Sequence, residues 1–397
     1  MRRRMLPLLL LLPLPVGGAM APAMPVPPPE RVVLAPDAES QWVPFELTPS
    51  NQIQFRMTVD GRAVTAILDT GCSASLIARR WATDAGLKVT RGNNWLGTGG
   101  LVAVDQTIGR TLAIGGLTRS GGKLGVVDLP TTLTGSAQPL DMVIGSDLLR
   151  RYALDIDFAN RRFRLIPSGR LPFPGQTAPL EIARDQLYIS EMTVNGTRLR
   201  PMIVDTGDGR TIAMSNEAWR SLAASPDAST TTLSYSVTGP VVTDLAVLPA
   251  IRVGESMMDD VEVMIEPGRG FSAQMGAAGR IGLGYLQRYR VLLDPGAGRM
   301  VMAGGDDLNQ PRLRSTSGLL FLPASDRLRV VHVMRGSPAA GMGWKAGEDI
   351  CSVDGQIVTA DYASRPIASW SADRPGRVVR LGVCGGSERQ LRLERFY

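Results

Sequence analysis

Two aspartates in identical triplets are the residues of this chain best suited to chemistry. Asp69 and Asp205 each begin an Asp-Thr-Gly triplet that follows a short apolar run. An apolar strand buries itself and delivers a carboxylate at its end, while the threonine hydroxyl can bond locally and the glycine allows a tight turn. Two carboxylates held close together cannot both ionise, so the pair keeps one proton. Such a pair can activate a water molecule and polarise a carbonyl group, which is general acid–base hydrolysis.

The two triplets lie in two copies of a longer repeat, which appears when the chain is aligned with itself. Asp205 follows Asp69 by 136 residues. Three further pairs of blocks occur in the same order in both copies, one before the triplet and two after it: Asp60-Gly61 with Asn195-Gly196, Ala113-Ile114-Gly115 with Arg252-Val253-Gly254, and Val143-Ile144-Gly145 with Arg280-Ile281-Gly282. Matching blocks in one order indicate a duplicated lobe, and a pseudo-twofold axis between the lobes would bring the two carboxylates together.

The elements that position the triplets are predicted to be short β-strands, because apolar and β-branched residues alternate in runs separated by turn residues. Asp60-Gly61 and Asn195-Gly196 predict hairpin turns, since both residue types accept the positive φ of a type I′ turn. A helix is expected after each triplet, over about Ala78 to Ala85 in the first copy and after an N-capping Ser215 in the second.

Length and composition predict several domains. A chain of 397 residues exceeds one ordinary core. The stretches from Pro167 to Pro179 and from Gly304 to Thr316 have the composition of linkers. We therefore expect a mainly β protein in this order: a signal peptide over 1–21, a Pro-rich and mobile leader over 22–41, one lobe over 42–167, a second lobe over 179–303, and a small α+β domain over 314–397.

The first residues have the features of a secretory signal, because a basic start from Arg2 to Arg4 precedes an apolar run from Leu6 to Val16. Prolines interrupt this run, and it is shorter than the roughly 20 residues that a spanning helix needs. We favour export, to the periplasm or outside the cell, over the alternative of an N-terminal membrane anchor. After removal of the signal, no transmembrane helix is expected.

Charge, histidine and cysteine content narrow the function classes. The formal net charge of +6 comes from scattered arginines, which is weak evidence for nucleic-acid binding. The one histidine, His332, makes a His-rich zinc site impossible, so neither a metal nor another cofactor is expected. His332 is expected to be a packed strand residue. Cys351 and Cys384 can pair in an oxidising compartment, which would leave Cys72 as a small buried thiol.

With its two triplets, the chain resembles the retropepsin-like aspartic peptidases, with two lobes fused in one chain as in the pepsin-like enzymes. The resemblance covers roughly residues 42 to 303 and includes the later apolar-apolar-Gly blocks. It implies that Asp69 and Asp205 are catalytic. It also implies that the other triplet residues bind substrate, namely Thr70, Gly71, Thr206 and Gly207. It further implies that two hairpins cover an extended peptide, one around Gly92 to Asp105 and one around Ser234 to Asp244.

The second copy departs from that family pattern. Cys72 and Asp208 follow the triplets, where the family has Ala, Ser or Thr, and Arg280 stands where an apolar residue is expected. Asp208 places a third carboxylate close to the aspartate pair. It could raise the pKa values of the pair or point to solvent.

The last part of the chain resembles a bacterial PDZ domain, through Ser337-Pro338-Ala339, a run from Ala346 to Ile350, and Asp354-Gly355. The resemblance implies a loop whose N–H groups bind the carboxylate of a C-terminal peptide, which then adds a strand to the sheet. The loop residues are Gly318, Leu319, Leu320 and Phe321. The alternative is that this domain only covers or positions the second lobe.

These motifs together predict an exported aspartic endopeptidase that acts on peptide or protein substrates. One chain already holds both lobes, so a monomer is expected. Two alternatives from other classes stay open. One is a peptide-binding protein whose aspartate pair has lost its catalytic geometry through Asp208 and Arg280. The other is an envelope-assembly or transport adaptor that uses the PDZ-like domain.

Overall fold

The structure is a computed structural model that describes residues 29–136, 138–222, 230–236, 239–305, 308 and 313–397. The predicted signal peptide and residues 22–28 of the predicted leader lie outside these ranges. Within them, no helix combines the length and the apolar character needed to cross a membrane.

The first lobe is built from short strands, as the alternating apolar pattern predicts. Its helices are α1 (Arg79–Asp84) and α2 (Ser146–Leu149), and 3₁₀ turns lie at Ala38–Ser40 and Thr131–Leu133. Its strands are β1 (Arg31–Leu34), β2 (Val43–Leu47), β3 (Ile53–Val59), β4 (Arg62–Leu68), β5 (Leu76–Ala78), β6 (Val89–Gly97), β7 (Gly100–Ile108), β8 (Leu112–Ile114), β9 (Leu117–Ser120), β10 (Lys123–Val127), β11 (Met142–Ile144), β12 (Ala153–Asp157) and β13 (Arg162–Ile166).

The second lobe repeats this plan. Its helices are α3 (Asn216–Ser221), α4 (Phe271–Gln274) and α5 (Leu283–Leu286), with a 3₁₀ turn at Pro295–Ala297. Its strands are β14 (Gln176–Pro179), β15 (Glu181–Ile182), β16 (Tyr188–Val194), β17 (Thr197–Asp205), β18 (Ile212–Met214), β19 (Thr230–Ser236), β20 (Gly239–Val253), β21 (Ser256–Ile265), β22 (Gly279–Gly282), β23 (Tyr289–Asp294) and β24 (Arg299–Gly304). β14 lies inside the predicted linker and pairs with β24.

The C-terminal unit (residues 313–397) has a sheet of its own, in the order β25-β26-β27-β29-β30 with β28 on β27. It contains a separate core that includes Trp370, and a disulfide joins Cys351 to Cys384. Its elements are β25 (Leu319–Pro323), β26 (Leu328–Val333), α6 (Pro338–Gly341), β27 (Asp349–Val353), β28 (Gln356–Ile357), β29 (Val378–Val383) and β30 (Glu388–Arg392), with 3₁₀ turns at Tyr362–Ser364 and Pro366–Ala372.

The strands that carry the triplets have the same surroundings in both lobes. β4 ends directly before the first triplet and pairs in parallel with β11, with Leu68 opposite Ile144. β17 leads into the second triplet and pairs in parallel with β22, with Val204 opposite Ile281. β5 and β18 then pair with the other edges of β11 and β22. The repeat in the sequence is therefore a repeat of strand topology.

Strands from both lobes meet in one sheet between them. β12 of the first lobe pairs antiparallel with β23 of the second, with Ile156 opposite Val291, and both residues are buried. β13 and β24 extend this sheet on either side. The shared sheet buries apolar residues of both lobes in one core, which fixes the lobes relative to each other.

The local predictions for turns, helices and hairpins are confirmed. The turn at Asp60 and Gly61 has φ values of 49° and 76°, as a type I′ turn requires. Ser215 caps α3 by accepting a hydrogen bond from Ala218 N at 3.1 Å. Hairpin 1 (β6 and β7) and hairpin 2 (β19 and β20) lie where the resemblance placed them.

The prediction of a mobile leader up to residue 41 is wrong for its last part. Arg31–Leu34 forms β1 and pairs antiparallel with β9. Val32 and Leu34 pack partly buried against the core of the first lobe. Burial of these two apolar side chains favours the ordered strand over a free leader.

Candidate active site

The two triplet loops meet face to face between the lobes. A Cβ atom added to Gly71 would collide with the carboxyl group of Asp205, and one added to Gly207 would collide with that of Asp69. Each glycine is therefore required because the opposite carboxylate occupies the space of a side chain. Each glycine N–H also donates to the aspartate of its own triplet, at 2.9 Å for Asp69 and 3.0 Å for Asp205. The structure thus brings the two predicted catalytic residues together.

The triplet threonines join the lobes through four reciprocal hydrogen bonds. The backbone N–H groups of Thr70 and Thr206 each donate to the other threonine's hydroxyl at 3.0 Å. The hydroxyl of Thr70 donates to Val204 O at 2.7 Å, and that of Thr206 to Leu68 O at 3.0 Å. The prediction that these hydroxyls bond locally is wrong, because their partners lie in the other lobe.

The threonine side chains do not face the cavity above the aspartates, which argues against the prediction that Thr70 and Thr206 bind substrate. Both side chains are fully buried, at 0% exposure, beneath the aspartate loops. Gly71 and Gly207 do line the cavity above the aspartates. The cavity-facing part of each triplet is therefore its aspartate and its glycine, while the threonine holds the two loops together.

The two aspartates differ in their electrostatic surroundings. Burial, followed by the negative charge of Asp205 and a hydrogen bond to it, holds the pKa of Asp69 well above its ordinary value. The pKa of Asp205 is also raised, by burial and then by the charge of Asp208, while Arg280 acts in the opposite direction. The pair therefore titrates as a unit, and the positive charge of Arg280 beside Asp205 favours ionisation of that member.

Arg280 lies at the centre of a buried charge cluster (Asp208, Glu266 and Arg280) next to the pair. Its side chain is 1% exposed, and its Nε donates to Asp208 Oδ2 at 3.0 Å. The same atom lies 3.5 Å from Asp205 Oδ2, and Nη1 donates to Glu266 Oε1. A buried guanidinium with carboxylate partners keeps its charge, and these carboxylates raise the pKa of Arg280 against the effect of burial.

Asp208 is buried, so the option that it points to solvent is wrong. Burial alone would raise its pKa, but the guanidinium groups of Arg210 and Arg280 outweigh burial and hold the pKa below its ordinary value. Arg210 Nε donates to Asp208 Oδ1 at 2.8 Å. Asp208 is therefore a fixed negative charge that raises the pKa of Asp205.

Cys72 occupies the position after the first triplet and lies among apolar side chains. Its Sγ donates to Ala74 O at 3.1 Å, and it packs with Ile67 and Val143 in an apolar cluster. Burial and then the charge of Asp69 raise the pKa of the thiol well above its ordinary value. The expectation of a small thiol outside the disulfide is confirmed, and the thiol is partly buried.

A cavity of about 930 Å³ lies above the aspartate pair. Trp95 and Leu96 of hairpin 1 line it on one side, and Leu233 and Tyr235 of hairpin 2 line it on another. The cavity is therefore covered by the two hairpins that the family resemblance implies. Its volume lies at the upper end of the range of roughly 300–1,000 Å³ that is usual for ligand-binding clefts.

The loop predicted to bind a carboxylate is already hydrogen-bonded. Gly318 N donates to Ser315 Oγ at 2.9 Å, and Leu319 N donates to Ser317 Oγ at 3.1 Å. A carboxylate would have to displace both hydroxyl groups. Leu319, Leu320 and Phe321 line the same cavity as the aspartate pair. His332 lies in β26, as expected of a strand residue, with its Nε2 2.9 Å from Thr231 Oγ1.

Sequence reasoning did not single out Glu266, which completes the charge cluster. Its Oε2 accepts from Ser272 N at 2.8 Å, and its other oxygen binds Arg280. The sequence did offer one signal: Asp208 and Arg280, which both depart from the family pattern and carry opposite charges, occur in the same copy of the repeat. Opposite charges at unusual positions in one lobe indicate a pair, and a buried pair requires further partners.

These features define a two-lobed β protein in which each lobe supplies one aspartate to a shared site. The family described as aspartyl protease matches the chain twice, over residues 55–148 and 190–285. Each match contains one Asp-Thr-Gly triplet.

A relative is "DNA damage-inducible protein 1" of Kluyveromyces lactis, with 24% identity over 179 residues. The matched region covers 45% of this chain and 41% of that protein, so the chain spans about two fifths of that relative's length. Together, the two comparisons support a protease-like function.

Proposed function

We propose that this protein is an aspartic endopeptidase in which Asp69 and Asp205 hydrolyse peptide bonds through one shared water molecule. The observation that carries the proposal is the reciprocal packing of each carboxyl group against the other triplet's glycine. This packing forms one buried carboxyl pair below the cavity of about 930 Å³.

The two carboxyl groups have separate roles in the proposed reaction. Asp205 takes a proton from the water molecule while the water oxygen bonds to the carbonyl carbon of the substrate. At the same time, Asp69 gives its proton to the carbonyl oxygen. The tetrahedral diol then collapses when Asp205 protonates the leaving nitrogen and the C–N bond breaks. The diol hydroxyl returns its proton to Asp69, which restores the starting state.

Arg280 supports this division of roles. Its Nε lies 3.5 Å from Asp205 and it makes no ion pair with Asp69 among the described residues. A positive charge beside one member favours ionisation of that member. Because Arg280 is held by two other carboxylates, it cannot neutralise Asp205 fully, and Asp205 keeps the basicity that proton abstraction needs.

We further propose that the protein is exported and acts as a monomer. The basic start and apolar run at the N-terminus support export, and the Cys351–Cys384 disulfide fits an oxidising compartment. The lobes of one chain supply both aspartates, so catalysis needs no second copy. The resemblance to PDZ domains supports binding of a peptide or protein segment by the C-terminal unit, but a C-terminal carboxylate would have to displace the serine hydroxyls from Gly318 N and Leu319 N.

The test is cleavage of a diverse peptide pool from acidic to neutral pH, with cut sites read by mass spectrometry. Wild type is expected to cut, and Asp69→Asn and Asp205→Asn are each expected to lose at least about 10³-fold in kcat/KM. Asp128→Asn is the matched control, because that side chain is 85% exposed, and it should cut like wild type.

Unfolding curves of the same variants separate lost chemistry from lost folding. The folded-state pKa of Asp69 is raised, so folding becomes less favourable as pH rises from the unfolded value through the folded one. Asp69→Asn removes this penalty and should be at least as stable as wild type at neutral pH. Silence of wild type at every pH would favour the peptide-binding alternative, and undiminished cutting by both Asn variants would sink the assignment of catalysis to Asp69 and Asp205.

A further inference from the structure

The cavity above the aspartate pair extends into the C-terminal unit. Besides Asp69 and Asp205, it is lined by Leu320 and Leu322 of β25 and by Met334. Residues from both lobes and from the C-terminal unit therefore share one continuous space. A ligand that fills this space contacts the aspartates and β25 at the same time.

Hairpin 2 connects these two ends of the cavity and is fastened to the C-terminal unit. Thr230 Oγ1 donates to Arg335 O at 2.8 Å, and Thr231 Oγ1 lies 2.9 Å from His332 Nε2. Arg335 also forms an ion pair with Asp244 at 3.1 Å. The outer strand of hairpin 2 thus forms a common wall between the aspartate pair and β25.

A second attachment lies on β21 of the second lobe. Tyr397 donates from its hydroxyl to Glu262 Oε1 at 2.7 Å, and Arg314 pairs with Asp260. Tyr397 and Glu262 also line the cavity. Two attachments at separate places hold the C-terminal unit in one orientation, so the path from the aspartates to β25 has a fixed direction.

β25 offers main-chain groups to an extended ligand. Among the described residues it pairs with β26 alone, so its other edge is open. An open strand edge binds an extended peptide by adding it as a strand. The half-buried side chains of Leu320 and Leu322 provide apolar contacts beside that edge.

The bonds within the nearby loop argue against a free carboxylate as the ligand. The N–H groups of Gly318 and Leu319 already donate to serine hydroxyls at 2.9 and 3.1 Å. The side chains that line this part of the cavity are mainly apolar. Such a surface suits the middle of an extended chain, since a charged end would lose its hydration there.

We propose that the C-terminal unit forms one end of the substrate cleft and binds the same chain that is being cut, as an extended internal segment along β25. This inference rests on the proposed peptidase function and names its substrate class: long, locally unfolded protein segments without a requirement for a free C-terminus. The occupant follows from the continuity of the cavity with the aspartate pair.

The experiment uses one cleaved peptide whose scissile sequence is kept constant. It is extended on either side by roughly eight residues, since an extended chain spans about 3.3 Å per residue, and each version is made as a free acid and as an amide. We expect extension on one side to raise kcat/KM by about tenfold, equally for acid and amide.

Variants locate the gain on β25. The double variant Leu320→Ser/Leu322→Ser should lose the gain from extension, so that it cuts the extended and the short peptide with similar kcat/KM. Ile357→Ser is the matched control, because this apolar residue of the same unit is 69% exposed and does not line the cavity. It should keep the gain.

Three outcomes would overturn the inference: no gain from either extension, a gain that the double variant retains, or a gain for free acids alone. If wild type does not cleave the short peptide at all, that result would instead count against the proposed function. In that case, binding of the same peptides to Asp69→Asn, followed by fluorescence anisotropy, applies the same criteria to affinity. Failure of the two proposals is thereby distinguishable.

Discussion

The two lobes share one backbone plan around the triplets and differ in what supports it. The first lobe has Cys72 after its triplet and Val143 before its later glycine, and both pack in an apolar cluster. The second lobe has Asp208 and Arg280 at the matching positions, joined by a buried ion pair. Asp128 follows β10 and is exposed, whereas Glu266 follows β21 and is buried.

The difference shows that one set of residues fixes the symmetric positions of the two carboxyl groups and another set makes the charges around them unequal. The threonines and glycines, which are the same in both triplets, fix the positions of the two carboxyl groups. The neighbouring residues, which differ, make Asp205 the one that meets a guanidinium. Two aspartates in the same backbone setting thereby have different electrostatic surroundings.

The largest expected effect on stability follows when Arg280 of the second lobe is replaced by valine, the residue at the matching position of the first lobe. Arg280→Val leaves Asp208 and Glu266 buried without their shared cation, which should cost about 3–5 kcal/mol of unfolding free energy. Chemical denaturation measures this loss. The triple variant Asp208→Cys/Glu266→Gln/Arg280→Val removes the orphaned charges and should be more stable than the single variant. A single variant as stable as wild type would contradict the role of the cluster.

The next largest effect concerns the hydrogen bonds that Thr70 and Thr206 make symmetrically between the lobes. Thr70→Val and Thr206→Val each remove a hydroxyl that both donates to and accepts from the opposite lobe. Each should cost about 1–3 kcal/mol, because a buried N–H loses its acceptor. The two losses should be similar, and the double variant should lose less than their sum. Unequal losses in denaturation curves would show that the lobes are not held symmetrically.

A smaller effect concerns the pH dependence of activity. The charge of Asp208 raises the pKa of Asp205, so Asp208→Asn should lower that pKa. Because Asp205 must be ionised to accept a proton, the acid limb of the kcat/KM profile should move to lower pH. Asp128→Asn serves as the control and should leave the limb unchanged. A limb that stays in place or moves to higher pH would contradict the assigned role of Asp208.

The smallest effect is expected at Cys72. Its raised pKa leaves little thiolate at neutral pH, and the thiolate is the reactive form. Alkylation by iodoacetamide should therefore be at least about tenfold slower in the folded protein than in denaturant. Mass spectrometry of the alkylated peptide measures the rate. Equal rates in both states would show that the thiol is not protected by the fold.

Sequence predicted the parts of the fold that depend on local patterns. The alternating strands, the turn at Asp60 and the cap at Ser215 each follow from a few neighbouring residues, and the repeat located both aspartates. Two structural parts were misjudged from composition. β1 and β14 lie in Pro-rich stretches, where pairing with distant strands decides the structure.

The rest of the site depends on contacts between distant residues. Arg280 and Asp208 are 72 residues apart, and the sequence marked each as a separate departure without showing that they compensate each other. The threonine bonds join residues 136 apart and depend on how the lobes face each other. No local pattern encodes that arrangement, so the threonines were assigned to substrate binding instead.

The reciprocal threonine bonds also set when the site can first exist. Thr206 is synthesised 136 residues after Thr70, an interval of about 7–27 s at roughly 5–20 residues per second. Throughout that interval the nascent chain contains a single, unsupported carboxylate loop. If the proposed activity holds, the nascent chain cannot cut other proteins near the ribosome, because the aspartate pair is assembled only after the second lobe has emerged and folded.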